Sequence, residues 1–167
     1  LFDPGIFNIG DTLTTGSREL KFEGIPSFSP EHFARVTASD SMKRKQFIKG
    51  INQLSEEGAI QVFRQVNSGY EELIIGAVGI LQFEVLEYRL KNEYNVDIRM
   101  QNLPFKHARW IKSSLKDPES LNLTSSTKIA VDSEDRLVLL FENDWSINWA
   151  LEKNKDLELS STADKLN

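Results

Sequence analysis

At 167 residues, with a formal net charge of −5 and no cysteine, the chain is long enough to bury a core without help from a metal or a disulfide. The missing cysteines exclude disulfide scaffolds, thiolate zinc sites and thiol nucleophiles, and favour an intracellular origin. The acidic balance excludes a free-standing nucleic-acid binder that works through a global positive field, and leaves room only for a local basic patch.

The longest apolar run, Leu137 to Phe141, is far too short to cross a bilayer, so no membrane partner is expected. The sequence opens "LFDPG", with neither a leader nor an initiator methionine, and reads as a piece of a longer polypeptide. Residues 1–30 carry Gly and Pro turn signals around short apolar stretches, Ile6 to Ile9 and Leu20 to Ile25. They read as the closing strands of a β-structure whose earlier strands lie upstream.

From Glu31 the pattern changes. "HFARVTA" alternates as a strand, and Asp40 or Ser41 is placed to cap a helix. In that helix Phe47, Ile48, Ile51 and Leu54 recur at helical spacing, and Gly58 is the expected C-terminal cap. "AIQVFRQV" and "EELIIGAV" are strands joined by a turn at "NSGY". Phe83, Leu86, Leu90 and Tyr94 mark a second helix, and "NVDIRMQ" a fourth strand. The order βαββαβ over residues 31–105 predicts an α+β, ferredoxin-like unit, a four-stranded antiparallel sheet with both helices on one face. Residues 106–167 run through a shorter version of that order: a strand at "HARWIKSSL", a short helix or loop at "DPESLNLTSS", and a hairpin turning near Ser133 and Glu134. A helix capped by Asn143 or Asp144 and a last strand, "LELSST", complete it.

The chain has two histidines, His32 and His107, without acidic or histidine neighbours at metal-ligand spacing, so both read as surface or strand-edge residues and no metal is expected. No G-x-x-x-x-G-K-[ST] loop and no G-x-S-x-G elbow occurs. "GAVGILQFEV", Gly76 to Val85, places glycines ahead of a helix N-terminus, where free N–H groups can hold an anion. It is similar to the loop of acylphosphatases, but it follows the third strand, contains no arginine, and is read as glycines that let the helix pack close to the sheet.

The first helix has its charges reversed: "KRKQF" at its start and Glu56 and Glu57 at its end oppose the helix dipole, each at a cost of about 0.3–1 kcal/mol when exposed. At about 100° per residue, Lys45, Lys49, Asn52 and Glu56 form a row opposite the apolar stripe. That row is either a solvated face or a binding face. A second basic group, Lys106, His107, Arg109 and Lys112, surrounds Trp110, and reads either as an anchor for RNA or protein or, more often, as a strand with one face packing the tryptophan and the other wet. Trp145 and Trp149 lie on one side of the last helix, with Ile147, Ala150 and Leu151 on another, so the helix is either sandwiched in the core, the preferred reading, or partly a docking surface.

"KFEGIPSFSPEHFARV", "KQFIKGINQLSEEGAIQVFR" and "IIGAVGILQFEVLEYRLKNEYNV", with "ARW" and "INWALEKN" further on, resemble the third, C-terminal domain of the bacterial peptide chain release factor 3 family, translational GTPases of termination. "FNIGDTLT" is similar to the end of the β-barrel domain that precedes it in that family. The weakest match is Lys116 to Ser133, where a short segment replaces a longer helical stretch.

The resemblance implies no catalytic, cofactor or metal residue here, and GTP or GDP held by a G domain in the full-length parent. It also implies a ribosome-facing and inter-domain role, with small-subunit rRNA and protein and the parent's own G and barrel domains as partners. Functional coupling would be to the class I release factors, whose departure from the ribosome the family promotes. Lys45, Lys49, Glu56, Glu57, Arg109 and Lys112 are then the candidate contacts. The alternatives are a self-contained acylphosphatase-like enzyme, or the equivalent module of another translational GTPase such as elongation factor G or a tetracycline-resistance ribosomal protection protein.

Overall fold

The structure is a computed structural model that describes residues 14–15, 28–65, 73–112 and 118–163. The expected barrel remnant and the "NSGY" turn lie almost wholly outside these residues. β1 (His32–Ala38) leads through a 3₁₀ turn at Ser41–Lys43 into α1 (Arg44–Glu56), followed by β2 (Gln61–Gln65), β3 (Leu73–Ala77), α2 (Leu81–Tyr94) and β4 (Ile98–Leu103). The remainder is β5 (His107–Ile111), a 3₁₀ turn at Pro118–Ser120, β6 (Lys128–Val131), β7 (Leu137–Phe141), α3 (Asp144–Lys153) and β8 (Leu159–Ser160).

All eight strands belong to one antiparallel sheet in the order β4-β1-β3-β2-β6-β7-β5-β8. The first four give the ferredoxin-like order 4-1-3-2, and the second four, taken by themselves, give the same order read from the other edge. The two runs join through β2 and β6, where Arg64 faces Val131 and Gln65 faces Ala130. An Arg64–Asp135 ion pair spans this short junction, and Asp135 takes the left-handed conformation that closes the β6–β7 turn. In the second run the described part of the first crossover begins with the 3₁₀ turn at Pro118–Ser120, and Leu121 and Leu123 after it pack against the cluster of Leu139, Phe141 and Ala150.

The helix ends follow the expected capping chemistry. Asp40 accepts from the Met42 N–H at 2.9 Å and starts the turn into α1. At the other end Gly58 has φ +73°, its N–H reaches the Ser55 carbonyl, and the Ala59 N–H reaches Leu54, the paired bonds of a Schellman cap. Asn143 caps α3 by accepting from the Ser146 N–H. Gly50 is required by packing: a Cβ there would lie 2.5 Å from Leu90 and 3.0 Å from the Tyr94 ring, so its absence lets α1 and α2 touch.

Three apolar layers result. Phe47, Ile51 and Leu54 of α1 and Phe83, Leu86 and Leu90 of α2 cover Ala34, Val36 and Ile75 on one face of the sheet. Ala150 and Ile147 of α3 cover Leu139 and Phe141 in the second run. The opposite face holds Phe33, Phe63 and Ile74 from the first run together with Ala108, Trp110, Ala130, Val138 and Leu140 from the second.

That shared layer exists because the sheet curls over itself. Laid flat, β4 and β5 would sit six strands apart, about 29 Å. The chain joins them through Pro104, Phe105 and Lys106 alone, a reach of at most about 14 Å from Leu103 to His107. The sheet must therefore curl, and Phe63 of β2 meets Trp110 of β5 with ring centroids 6.1 Å apart. The Trp110 indole N–H donates to buried Asp132 at 2.9 Å, and that carboxylate also accepts from the backbone of Glu134 and Arg136.

Gly76 and Gly79 correct the expectation that they seat a helix. A Cβ on Gly76 would meet Phe63 and Pro30, on the face away from α2, and one on Gly79 would meet nothing within 4 Å. Leu54→Ala is expected to lower stability by about 2–5 kcal/mol through the cavity left between α1 and the sheet. Gly58→Val should cost about 1–2 kcal/mol through left-handed strain. Urea midpoints measure both, and unchanged values would contradict this helix and its cap.

Candidate functional site

α1 presents its row as expected. Lys45, Lys49, Asn52 and Glu56 are all exposed, and among the described residues neither lysine has a hydrogen-bond or ion-pair partner. Two unpartnered cations one turn apart repel each other. Lys43, two residues before Lys45, is different: its ammonium donates to the Asn95 carbonyl just past the end of α2.

The acidic end of α1 divides. Glu56 is exposed, whereas Glu57 pairs with Arg89 of α2, which also binds Glu93 through Nε at 2.8 Å. One guanidinium thus ties the end of α1 to the outer turns of α2. Hydrogen bonding to Arg89 holds the Glu57 and Glu93 carboxyls below the usual glutamate range, and the two carboxylates raise the Arg89 guanidinium. The basic group that meets Glu57 is therefore within this chain. Arg89 had no place in the sequence reading, and its only local signal was the i,i+4 spacing to Glu93.

The second basic group comes apart around Trp110. The indole is buried in the closed inner layer, and the cations do not surround it. Lys112 is exposed beside β8, its backbone N–H on the Glu158 carbonyl. Lys106, His107 and Arg109 instead line a cleft of about 420 Å³ together with Ser29, Pro30, Glu31, His32 and Ser161. Both histidines of the chain meet there although 75 positions separate them, a juxtaposition that depends on the sheet closure. His107 Nε2 lies 3.3 Å from Asp144 at the start of α3. Arg109 donates to the Ala108 carbonyl at 2.9 Å, and burial pushes its guanidinium below the usual arginine value, partly offset by Asp144.

Two further expectations change. α3 is not sandwiched: Trp145 and Trp149 are exposed, with ring centroids 5.4 Å apart and the Lys153 ammonium over Trp149. Only the side bearing Ser146 and Ala150 is buried. At the glycine loop, the Val78 and Gly79 N–H groups both donate to the Gln82 side-chain oxygen, at 2.8 and 3.1 Å, so these donors are already engaged by the chain itself. No group of three or more His, Asp or Glu side chains among the described residues is placed to hold a metal ion. No helix among them is long and apolar enough to cross a membrane.

The Arg89 clamp has a pH signature. A carboxyl held below its unfolded value contributes stability that is fully present above the unfolded value and is lost as pH falls through the folded one. Arg89→Gln should therefore flatten the decline in urea midpoint between neutral pH and the acid side of the glutamate range. A decline identical in both proteins would show that the clamp contributes nothing.

Comparison with known proteins places the sequence. The family described as "Class II release factor RF3, C-terminal domain" matches residues 22–151. A peptide chain release factor 3 of Symbiobacterium thermophilum is 48% identical over 163 residues, which cover 98% of this chain and 30% of that protein. The Listeria welshimeri protein of the same name is 48% identical over 161 residues, and that of Limosilactobacillus reuteri 44% over 164, each covering 96% of this chain. The chain spans about 30% of the length of these relatives.

Proposed function

This chain belongs to the peptide chain release factor 3 family, as its C-terminal domain, and we propose that it is the ribosome-facing and inter-domain module of a cytoplasmic GTPase that promotes departure of class I release factors during termination. In this reading GTP and GDP bind a G domain elsewhere in the full-length protein, and the module described here supplies contacts. Its partners are small-subunit rRNA and protein and the neighbouring G and barrel domains.

The observation that carries the reading is the exposed pair Lys45 and Lys49, without partners on a helix whose dipole they oppose. Their placement costs the isolated helix stability, and a polyanion set against that face would offset the cost. The Glu57–Arg89 clamp and the Gly50 contact hold α1 on α2. The row is thus presented by a rigid pair of helices, so that a change in domain orientation carries it as a unit.

In the full-length protein, Lys45→Glu combined with Lys49→Glu is expected to weaken ribosome binding while nucleotide affinity and folding stay unchanged. Each lost phosphate contact should lower the salt dependence of binding by about one unit of slope, a magnitude taken from duplex DNA. Ribosome binding at several salt concentrations, with GTP-dependent recycling of a class I release factor, reads the effect. An unchanged slope and unchanged recycling in a folded variant would return the row to a solvated face. The 167-residue chain alone is expected neither to bind nor to hydrolyse GTP, since it has no phosphate loop of the Gly-Lys-Ser/Thr kind. Micromolar GTP binding in calorimetry would contradict this.

A further inference from the structure

The cleft at the starts of β1 and β5 holds a guanidinium that no carboxylate among the described residues pairs with directly. Arg109 lines it, is removed from water enough to push its guanidinium down, and among the described residues has no ion-pair partner, its recorded hydrogen bond being to the Ala108 carbonyl. A desolvated guanidinium with donors left over favours an anion from outside. The neighbouring side chains add to that demand. Lys106 is exposed and, among the described residues, its ammonium has no partner; His32 and His107 contribute imidazoles, and Ser161 contributes a hydroxyl.

Two carboxylates face this group and limit its charge. Asp144 is engaged with His107 Nε2 at 3.3 Å, and Glu31 lines the cleft on the β1 side. The volume, about 420 Å³, is many times the roughly 30 Å³ share of one water. A planar guanidinium fork, a lysine point charge, imidazoles and a hydroxyl converge from three chain segments, and such a set matches an anion with acceptor oxygens on every side. A tetrahedral oxyanion fits it better than a planar carboxylate, which presents two oxygens in one plane.

We propose that the cleft lined by His32, Lys106, His107 and Arg109 binds a phosphate group, carried by an RNA backbone or by a free phosphate. The RNA source rests on the ribosome-facing reading; the phosphate chemistry does not. This contact is separate from the Lys45 and Lys49 row, because it lies at the starts of β1 and β5 and not on α1.

The test uses the isotope-labelled 167-residue chain at fixed low salt. Side-chain signals of His32, His107 and Arg109 are followed by NMR during titration with inorganic phosphate, with a single-stranded RNA oligonucleotide and with a glutamate-rich peptide. Saturable shifts at these residues with RNA or phosphate are expected. Arg109→Gln should raise Kd about tenfold, the loss of a charge-assisted hydrogen bond, and Arg109→Lys should restore part of it. Lys106→Gln, at an exposed position, should raise Kd severalfold and reads the same site if the arginine variant fails to fold. RNA binding well above phosphate assigns the site to a nucleic-acid backbone, and equal binding assigns it to free phosphate. Absence of shifts with both, affinity indifferent to both substitutions, or response to the acidic peptide alone would overturn the proposal. No ribosome enters this assay, so its failure and failure of the lysine row on the ribosome are separate results.

Discussion

The connection from β4 to β5 governs the rest of the molecule. Three residues join strands that stand first and seventh in an eight-stranded order, so the sheet has no flat solution and must curl until its ends approach. Closure turns one face of the sheet into a shared interior. Phe33, Phe63 and Ile74 from one run of strands pack there against Trp110, Val138 and Leu140 from the other, and Phe105 of the connection itself is buried edge-on to Phe33 with centroids 6.1 Å apart. The one buried carboxylate of that region, Asp132, is satisfied by an indole, two backbone amides and the Arg136 side chain, which removes the cost of an unpaired buried charge.

Closure also decides what the outside looks like. With the inner face spent on itself, α1, α2 and α3 are left on the outer surface, and each buries only one side. On α1 the free side is the row from Lys45 to Glu56; on α3 it is the Trp145–Trp149 pair. The seam where β1 and β5 begin is the cleft that gathers both histidines, Lys106 and Arg109. The surfaces available for partners therefore follow from the same constraint that builds the core.

The reversed charges on α1 have two different explanations within one helix. At the C-terminal end, Glu57 opposes the dipole but gains Arg89, a local ion pair that also fastens α1 to α2. Such a pair is partly exposed and worth modest stability, yet it fixes the pairing of two helices that Gly50 allows to touch. At the N-terminal end nothing within the described chain answers Lys45 and Lys49. The imbalance there is what directs attention outward.

Sequence alone carried most of the features set by neighbours along the chain. Helical spacing picked out Phe47, Ile51 and Leu54, Asp40 marked the turn that leads into α1 and Gly58 its end, and alternation marked β1 and β4, because capping and amphipathicity are local in origin. The repeated strand order was legible for the same reason, since hairpins and right-handed crossovers leave few arrangements. What needed tertiary structure was every pairing of residues far apart. A tryptophan-bearing helix reads alike whether one side or two are covered, so the exposure of Trp145 and Trp149 depended on what packs above α3. Gly76 serves Phe63 and Pro30, not the helix after it, because the face it points to is fixed by register with β1 and β2. The Arg89 clamp needs α1 and α2 side by side on one face of the sheet, and the cleft of His32, Lys106, His107 and Arg109 joins segments that only the curled sheet brings within reach, distances that no spacing along the chain encodes.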